Sequence, residues 1–438
     1  MQLRPGDWTD DSRNRGRCAV SVTLVSAVDP YPTDAGKKVV LAGFLEYFRD
    51  RFGPERVHYL LVGGRPQPEF PVTLHPLPRP DRKATMAAAA SRIPAGRASL
   101  QESLLYSAQV GRAVHAVLER IEPDLEIYDT IRMAQYAEQA DADRQLCYLD
   151  DLFSERYAAM LDAADRYPDV AMRPLGNFAE HVPSLLRPLA DAKLPQRALL
   201  RLEAALVRRS EDRAALRFRR NLLVNAGEAA RLTARVAGRG SADVMAVPPL
   251  VKPPPFRTRQ FSGAPDFVFV GLLSLPHNED GVRSFLTDVW PAVLTRMPNA
   301  RLRIIGRDCG PELAEVVGRF GSSVSLEGYV DDLTAVLSSA AGLINHLRFG
   351  SGIKLKVIEA LGRGLPVVST SVGADGFAVG GEHGLLIADR AAQFVEAMAE
   401  LADPRRNHEI SEGARGQFDA TFAKDAVFNC YDKAFTLR

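Results

Sequence analysis

A chain of 438 residues, 46% of them hydrophobic and 25% charged, is long enough to bury two cores of roughly 200 residues each, as a globular protein in aqueous solution would. A net charge of +1 gives no global pull toward nucleic acid, and four scattered cysteines (Cys18, Cys147, Cys309, Cys430) without a CxxC or His/Cys cluster argue against a zinc site or a disulfide framework. Met1–Arg17 shows no secretory pattern and no apolar run approaches the roughly 20 residues that cross a bilayer, so a soluble cytoplasmic protein is expected.

Val20–Val28 reads as a short β-branched strand. Pro30, Pro32 and Gly36 follow, then a helical pattern through Val39, Val40, Phe44, Leu45 and Phe48, and Val57–Val62 is the next strand. The alanine-rich stretch Met86–Gly96 reads as a mobile loop. Helical patterns recur at Leu100–Ile121, Ser154–Tyr167 and Pro195–Arg220, with strand candidates at Gln145–Leu149 and Asn221–Val224. The run VPPLVKPPP at Val247–Pro255 is a linker, because dense proline blocks both helix and sheet.

Beyond the linker the alternation restarts. Phe267–Gly271 is a strand, Gly281–Arg296 a helix, Leu302–Gly306 a strand, Pro311–Phe320 a helix and Val324–Leu326 a strand. Leu333–Ala340 (helix), Gly342–His346 (strand) and Pro366–Thr370 (strand) complete it. The rhythm is that of doubly wound α/β domains. It divides the chain into a first domain over 18–246, a linker over 247–263, a second domain over 264–414, and an aromatic helical tail over 415–438 packing back on the first domain. Ligands of such sheets bind at the carboxyl ends of the strands.

The richest segment runs from Gly350 to Leu361. Gly350, Ser351, Gly352 and Ile353 form a glycine loop feeding a helix that carries Glu359, and backbone N–H groups at such a helix start hold phosphate. Glu359 lies seven residues beyond Gly352, about 10 Å along a helix, close to the span from a diphosphate to the ribose of one nucleotide. On a surface helix it would instead pair with Lys356 or Arg363. Arg348, Lys354, Lys356 and Arg307 are candidate cations for a diphosphate.

Several motifs recur in order: Val270-Gly271, Asn278-Glu279-Asp280-Gly281-Val282, Ile304-Ile305-Gly306, Gly328-Tyr329-Val330-Asp331-Asp332-Leu333, Leu347-Arg348 and Gly373-Ala374-Asp375-Gly376-Phe377. With them the sequence resembles the group 1 glycosyltransferases, retaining sugar-nucleotide enzymes of the GT-B fold, and in particular bacterial exopolysaccharide sugar transferases. The first half is similar more loosely, at Tyr31–Lys37 and Asp151–Tyr157.

The resemblance implies an α/β fold of GT-B type, with two Rossmann-like domains facing across a cleft, the first for the acceptor and the second for a nucleoside diphosphate sugar donor. It implies that Glu359 grips the ribose, that Tyr329, Val330 and Leu333 lie in the loop that receives the base, and that Gly271 and the glycine loop line the donor site. It also implies that Arg348 and Lys356 are catalytic, steadying charge on the leaving phosphate without a metal. Transfer to a glycan or lipid-linked acceptor would need neither a metal nor a resident cofactor. Two departures stand out. Ser351 occupies a position where many members carry a glutamate, and Leu272 with the His277–Asp280 run replaces an arginine and a lysine.

In the first domain Gly36 and Lys37 either make donor contact or Gly36 simply starts a helix. Asp151, with Asp150 competing, either acts as a base or orients the acceptor hydroxyl, or Asp151 only caps a helix, and His346 either meets the sugar or is a core or surface histidine. Arg187–Arg235 holds 12 Lys/Arg against 5 Asp/Glu, interleaved with Leu185, Leu186, Leu189, Leu199, Leu200, Leu202 and Leu206. It reads either as a basic face resting on anionic lipid or as a solvated helix packing its leucines inward. A nucleotide-sugar epimerase of the same fold and a non-catalytic sugar-nucleotide-binding scaffold are the alternative functions.

Overall fold

The computed structural model describes residues 20–138, 143–166, 193–252 and 259–436. The chain divides into two compact units. The first comprises Met1–Ser154, Asn177–Leu250 and Val427–Arg438, and the second Glu155–Gly176 and Val251–Ala426.

The first unit is built on a seven-stranded sheet. Its strands are β1 (Val22–Ser26), β2 (Val57–Val62), β3 (Thr73–Leu77), β4 (Leu125–Asp129), β5 (Gln145–Asp150), β6 (Arg220–Leu223) and β7 (Val244–Ala246). They lie in the order β3-β2-β1-β4-β5-β6-β7, and all pairs are parallel. A parallel sheet is covered on both faces, which is why β1 is buried at every position.

Two central or edge strands escaped the sequence pattern for physical reasons. β4 reads LEIYD, yet Glu126 is buried because its carboxylate accepts from Tyr128 Oη (2.7 Å), Arg144 Nε (2.9 Å) and Gln145 Nε2 (3.0 Å). β3 carries His75 and Pro76, and proline is tolerated there because the strand is an edge. The alanine-rich stretch is not a loop. Arg82–Arg92 is a helix, started by the Asp81 carboxylate accepting from Ala84 N at 2.6 Å and carried by alanine's high helix propensity. Leu100–Ile121 is likewise two helices, Leu100–Leu104 and Ala108–Ile121, each with its own serine cap at Ser99 and Ser107.

The second unit holds six strands: β8 (Asp266–Val270), β9 (Arg301–Ile305), β10 (Val324–Gly328), β11 (Gly342–Asn345), β12 (Val367–Ser369) and β13 (Leu385–Ile387). Their order is β10-β9-β8-β11-β12-β13, again parallel throughout. Alternation along β8 sorts the two cores: Phe267 and Phe269 pack with Trp290, Phe285 and Phe394, whereas Val268 packs with Leu343, Val357, Leu361 and Phe418.

The helix after β8 starts earlier than its apolar pattern indicates, at Pro276, and runs to Ser284. A π-helical turn, Phe285–Val289, joins it to Trp290–Arg296, directly ahead of Pro291, which cannot donate into the preceding turn. The tail divides elsewhere than at 414/415. Ala414, Phe418 and Phe422 belong to the second unit's core, and only Val427 onward lies with the first unit. There Tyr47 Oη donates to Asp432 at 2.7 Å and Phe44 meets the rings of Tyr431 and Phe435. Residues 253–258 of the expected linker lie outside the described residues. Its first part is already tied to the first unit, with Val247 N donating to Leu223 O at 2.7 Å. Among the described residues no helix is long and apolar enough to cross a membrane.

Candidate functional site

In the second sheet the strand order reverses between β8 and β11, which opens a crevice at their carboxyl ends. Gly271 follows β8, and the glycine loop 350–354 follows β11. Gly306, after β9, closes against Gly271: a Cβ at Gly306 would stand 1.8 Å from the Gly271 carbonyl oxygen, so no other residue fits there.

Gly350 and Gly352 take φ values of 145° and 66°, both in the region that favours glycine, and turn the loop back on itself. Lys354 Nζ donates to the carbonyls of Ser351 (2.9 Å) and Gly352 (2.5 Å), and Ile353 leans on the apolar core below. Ser351 Oγ accepts from Arg156 Nε at 2.7 Å. The helix begins only at Leu355 and runs to Gly362. The expected helical span from Gly352 to Glu359 is therefore corrected: Glu359 lies four residues past the helix start, about 6 Å of rise. Its Oε1 accepts from Arg363 at 3.0 Å, the i,i+4 pairing open to a surface glutamate, while Arg363 is fixed from behind by donating to Thr334 Oγ1 at 3.1 Å.

Lys356 is the electrostatic centre of this edge. Its Nζ donates to Asn278 Oδ1 at 3.0 Å and lies 4.2 Å from the centroid of the Phe269 ring. Burial first, and then the neighbouring Lys354 charge, lower its pKa to about 7. Beside it His277 is pushed down to about 3, by burial and then by the charges of Lys356, Lys354 and Arg156. A neutral imidazole ringed by cations marks a region of positive potential above the first turn of a helix, where an anion is favoured.

Other expected site residues of this unit have contacts within the protein. Arg348 makes a bidentate pair with Asp280, which is 2% exposed, so its charge is neutralised within the protein. His346 packs against the rings of Phe285 and Phe394, with Nδ1 near the Gly281 carbonyl (3.2 Å) and Ser284 Oγ (3.3 Å), and burial lowers its pKa. Val330 and Leu333 lean onto the core, whereas Tyr329 is 68% exposed with the Arg307 guanidinium 5.8 Å from its ring. Arg307 is thus paired with an aromatic face beside the loop after β10. Sequence reasoning did not single out His277, Asn278 or Asp280 as site residues, although that polar run at the start of a helix after β8 was the available signal.

The first unit has its own polar centre where its order reverses, between β1 and β4. Gly36 opens the helix Gly36–Phe52, and Lys37 Nζ lies 2.6 Å from Asp129 Oδ1 and 4.0 Å from Asp150 Oδ2. Ser26 Oγ donates to Asp129 (2.6 Å) and Tyr148 Oη to Asp150 (2.6 Å). Thr130 and Asp150 both hold positive φ, 64° and 70°, a strained conformation for side chains other than glycine. Burial raises the Asp150 pKa, with Lys37 opposing it. Of the two adjacent carboxylates Asp150, rather than the almost fully buried Asp151, is thus the one near Lys37, whose close partner is Asp129.

Along the helix Lys193–Arg217, Leu200 and Leu206 are buried, whereas Leu202 is 50% exposed. Glu203, Glu211 and Asp212 turn inward, and from residue 197 on the exposed charged side chains are Arg201, Arg208, Arg209 and Arg213. Leu185, Leu186 and Leu189 lie outside the described residues. Among the described residues no group of three or more His, Cys, Asp or Glu could hold a metal ion.

Solved structures share this architecture. Sucrose-phosphate synthase from Thermosynechococcus elongatus superposes with a TM-score of 0.62 at 15% identity, over 94% of this chain and 98% of that one. Anabaena HepE, in complex with UDP and glucose, gives 0.55 at 11% identity over 94% and 98%. WaaG, a glycosyltransferase involved in lipopolysaccharide biosynthesis, gives 0.51 at 12% over 94% and 99%. The chain has the GT-B fold, two parallel-sheet Rossmann-like domains. Residues 264–403 match the family model for glycosyl transferases group 1, so the second unit carries a domain of that family. A Klebsiella pneumoniae protein described as an uncharacterized 44.6 kDa protein in cps region is 32% identical over 137 residues, 30% of this chain and 35% of that protein. The match therefore spans about a third of the relative's length.

Proposed function

We propose that the chain is a retaining glycosyltransferase of hexosyltransferase type. It moves a sugar from a nucleoside diphosphate sugar to an acceptor hydroxyl, without a resident metal or cofactor, in bacterial glycan, glycolipid or glycoconjugate synthesis. The observation that carries this reading is Lys356, a cation held over Phe269 by Asn278 at the carboxyl edge of the group 1 domain, next to Lys354 and the helix start. As the bond from the anomeric carbon to the β-phosphate oxygen breaks, negative charge grows on that oxygen, and these donors are already in place to stabilise it. The acceptor oxygen forms the new bond on the same face and its proton passes to the leaving phosphate. Glu359 takes the ribose hydroxyls and the exposed Tyr329 meets the base. The UDP and UDP-glucose complexes of HepE support the donor class, and the cps-region relative and WaaG support a glycan product.

In this reading the arginines of the helix Lys193–Arg217 face anionic lipid and bring a lipid-linked acceptor within reach, from the cytoplasmic side. The test is transfer by the purified chain from UDP-, GDP- and ADP-sugars, with the anomeric configuration of the product read by NMR, in EDTA. Product with retained configuration supports the proposal. An inverted product removes the retaining assignment, a changed sugar on recovered nucleotide indicates an epimerase, and binding with no turnover for any donor indicates a scaffold.

A further inference from the structure

The glycine loop has no regular structure between Gly350 and Lys354, so something must hold its two ends at a fixed separation for Lys354 and Lys356 to meet one anion. Both ends are fastened to one helix, Pro276–Ser284. Downstream of the loop, Lys356 Nζ is taken by Asn278 Oδ1. Upstream, Arg348 is taken by the Asp280 carboxylate, with Nε at 2.9 Å and the second nitrogen also bonded. One residue pair earlier, His346 meets the Gly281 carbonyl. Three residues that bracket the loop thus rest on 278, 280 and 281.

The helix is suited to this. Directly after it the chain widens into the π-helical turn Phe285–Val289, an arrangement that is rare and concentrated at functional sites. Phe285, Leu286, Val289 and Trp290 are buried in the core, while Asn278 and Asp280 point their side chains at the loop. Asp280 also accepts from Arg283 at 3.1 Å, and Arg283 in turn lies 3.3 Å from Glu279. The Asp280 carboxylate is 2% exposed and the Arg348 side chain 11%, so salt screens the pair much less than a surface one.

We propose that Asp280 is a positioning residue for anion binding, acting through Arg348 to set the upstream end of the loop while Asn278 sets the downstream end. Arg348 accordingly acts as a strut rather than as a direct phosphate ligand. This rests on the donor-binding reading above and adds to it the residue that presets the site. An ion pair of fixed fork geometry does this better than a single hydrogen bond, because it fixes both distance and orientation.

The test compares UDP-glucose and GDP-mannose binding, by calorimetry, to the full-length wild type, Asp280→Asn, Asp280→Glu, Arg348→Gln and the Asp280→Asn/Arg348→Gln double variant, with melting temperatures recorded alongside. The expected result is a roughly tenfold loss of affinity in Asp280→Asn, the order of one charge-assisted hydrogen bond. Partial recovery in Asp280→Glu is expected, together with a double variant no weaker than either single one. Additive losses in the double variant would mean that Arg348 touches the anion itself, and would overturn the proposal. So would wild-type affinity in a folded Asp280→Asn. If the wild type binds neither donor nor any other nucleoside diphosphate sugar of the panel, the donor-binding reading falls and the positioning role falls with it. For a variant that fails to fold, Asn278→Ala with the downstream end released supplies the second measurement: it too must lose affinity, and unchanged binding there removes the two-ended fastening.

Discussion

Lys356 Nζ sits between Asn278 Oδ1, at 3.0 Å, and the face of Phe269, 4.2 Å from its centroid, with no carboxylate partner among the described residues. Its pKa of about 7 compares with 10.5 for an ordinary lysine. In the unliganded fold the charged form is thus disfavoured. Between about 7 and 10.5 the unfolded chain binds more protons than the folded one, so Lys356 costs stability that is fully felt below pH 7 and relieved as the pH rises through that window.

A bound diphosphate reverses this by restoring the proton. Affinity for an intact nucleoside diphosphate sugar, whose diphosphate does not titrate in this range, is expected to fall about tenfold per pH unit above 7. Binding should take up a proton, visible in calorimetry as a dependence on buffer ionisation enthalpy. Lys356→Met should bind about tenfold to a hundredfold more weakly at pH 6.5 and lose the pH dependence. A pH-independent wild type would remove Lys356 from the anion site.

Glu359 is held by Arg363 through Oε1, and Oε2 carries no bond among the described residues. Glu359→Ala should weaken donor binding by more than about 1 kcal/mol while leaving inorganic pyrophosphate binding unchanged, since pyrophosphate has no ribose. Arg363→Ala, which frees the carboxylate to swing, should weaken the donor less. Equal losses for pyrophosphate and donor would show that Glu359 supports the loop and does not touch ribose.

In the first unit the contrast between neighbours is the test. Asn tolerates positive φ, so Asp150→Asn keeps the backbone and removes one of the two carboxylate charges near Lys37, leaving Asp129 in place. With Asp150 orienting the acceptor hydroxyl, whose proton goes to the leaving phosphate, the expected outcome is a loss of turnover on the order of a hundredfold with unchanged donor affinity. Asp151→Asn, at an almost fully buried position, should instead lower the melting temperature. Turnover lost only in a folded Asp151→Asn would return the role to Asp151.

Glu203 offers a stability check independent of function. Its carboxylate is buried against the backbone N–H groups of Leu100 (2.7 Å) and Gln101 (3.2 Å), and burial raises its pKa to about 7. The folded state therefore holds the proton over a range where the unfolded state, at 4.5, has lost it, so stability falls as pH rises from 4.5 to about 7. Glu203→Gln does not titrate. Urea unfolding at pH 5 and pH 8 should show the variant gaining on the wild type at the higher pH, and a constant difference contradicts the assignment.

How much of this was legible depended on whether a side chain's partner lay nearby in sequence. The glycine loop, the helix that follows it and the strands around them were readable because glycine spacing and β-branched runs act locally. β4 was hidden because Glu126 is made tolerable by Gln145 on the next strand and Arg144 just before it, and β3 because an edge admits proline. Arg348 reads as a free cation until Asp280, 68 residues away, is brought beside it. Asp150 and Asp151 are indistinguishable in sequence, and only the left-handed backbone at Asp150 separates them.

The exposed arginines of the helix Lys193–Arg217 lead to the last prediction. With Glu203, Glu211 and Asp212 turned inward, Arg201, Arg208, Arg209 and Arg213 leave a face of one sign, and the half-exposed Leu202 adds an apolar contact within it. Each such side chain near an anionic bilayer is worth about 1 kcal/mol, and the attraction decays over about 10 Å in moderate salt. The chain should therefore float with vesicles containing phosphatidylglycerol, remain behind with pure phosphatidylcholine, and be released by salt. Arg201→Glu/Arg208→Glu/Arg209→Glu should abolish flotation while leaving donor binding intact, because none of the three belongs to the unit that carries the group 1 domain. Flotation that survives the triple substitution would place lipid contact on another surface. Failure of the wild type to float would leave this helix a solvated one, packed through Leu200 and Leu206.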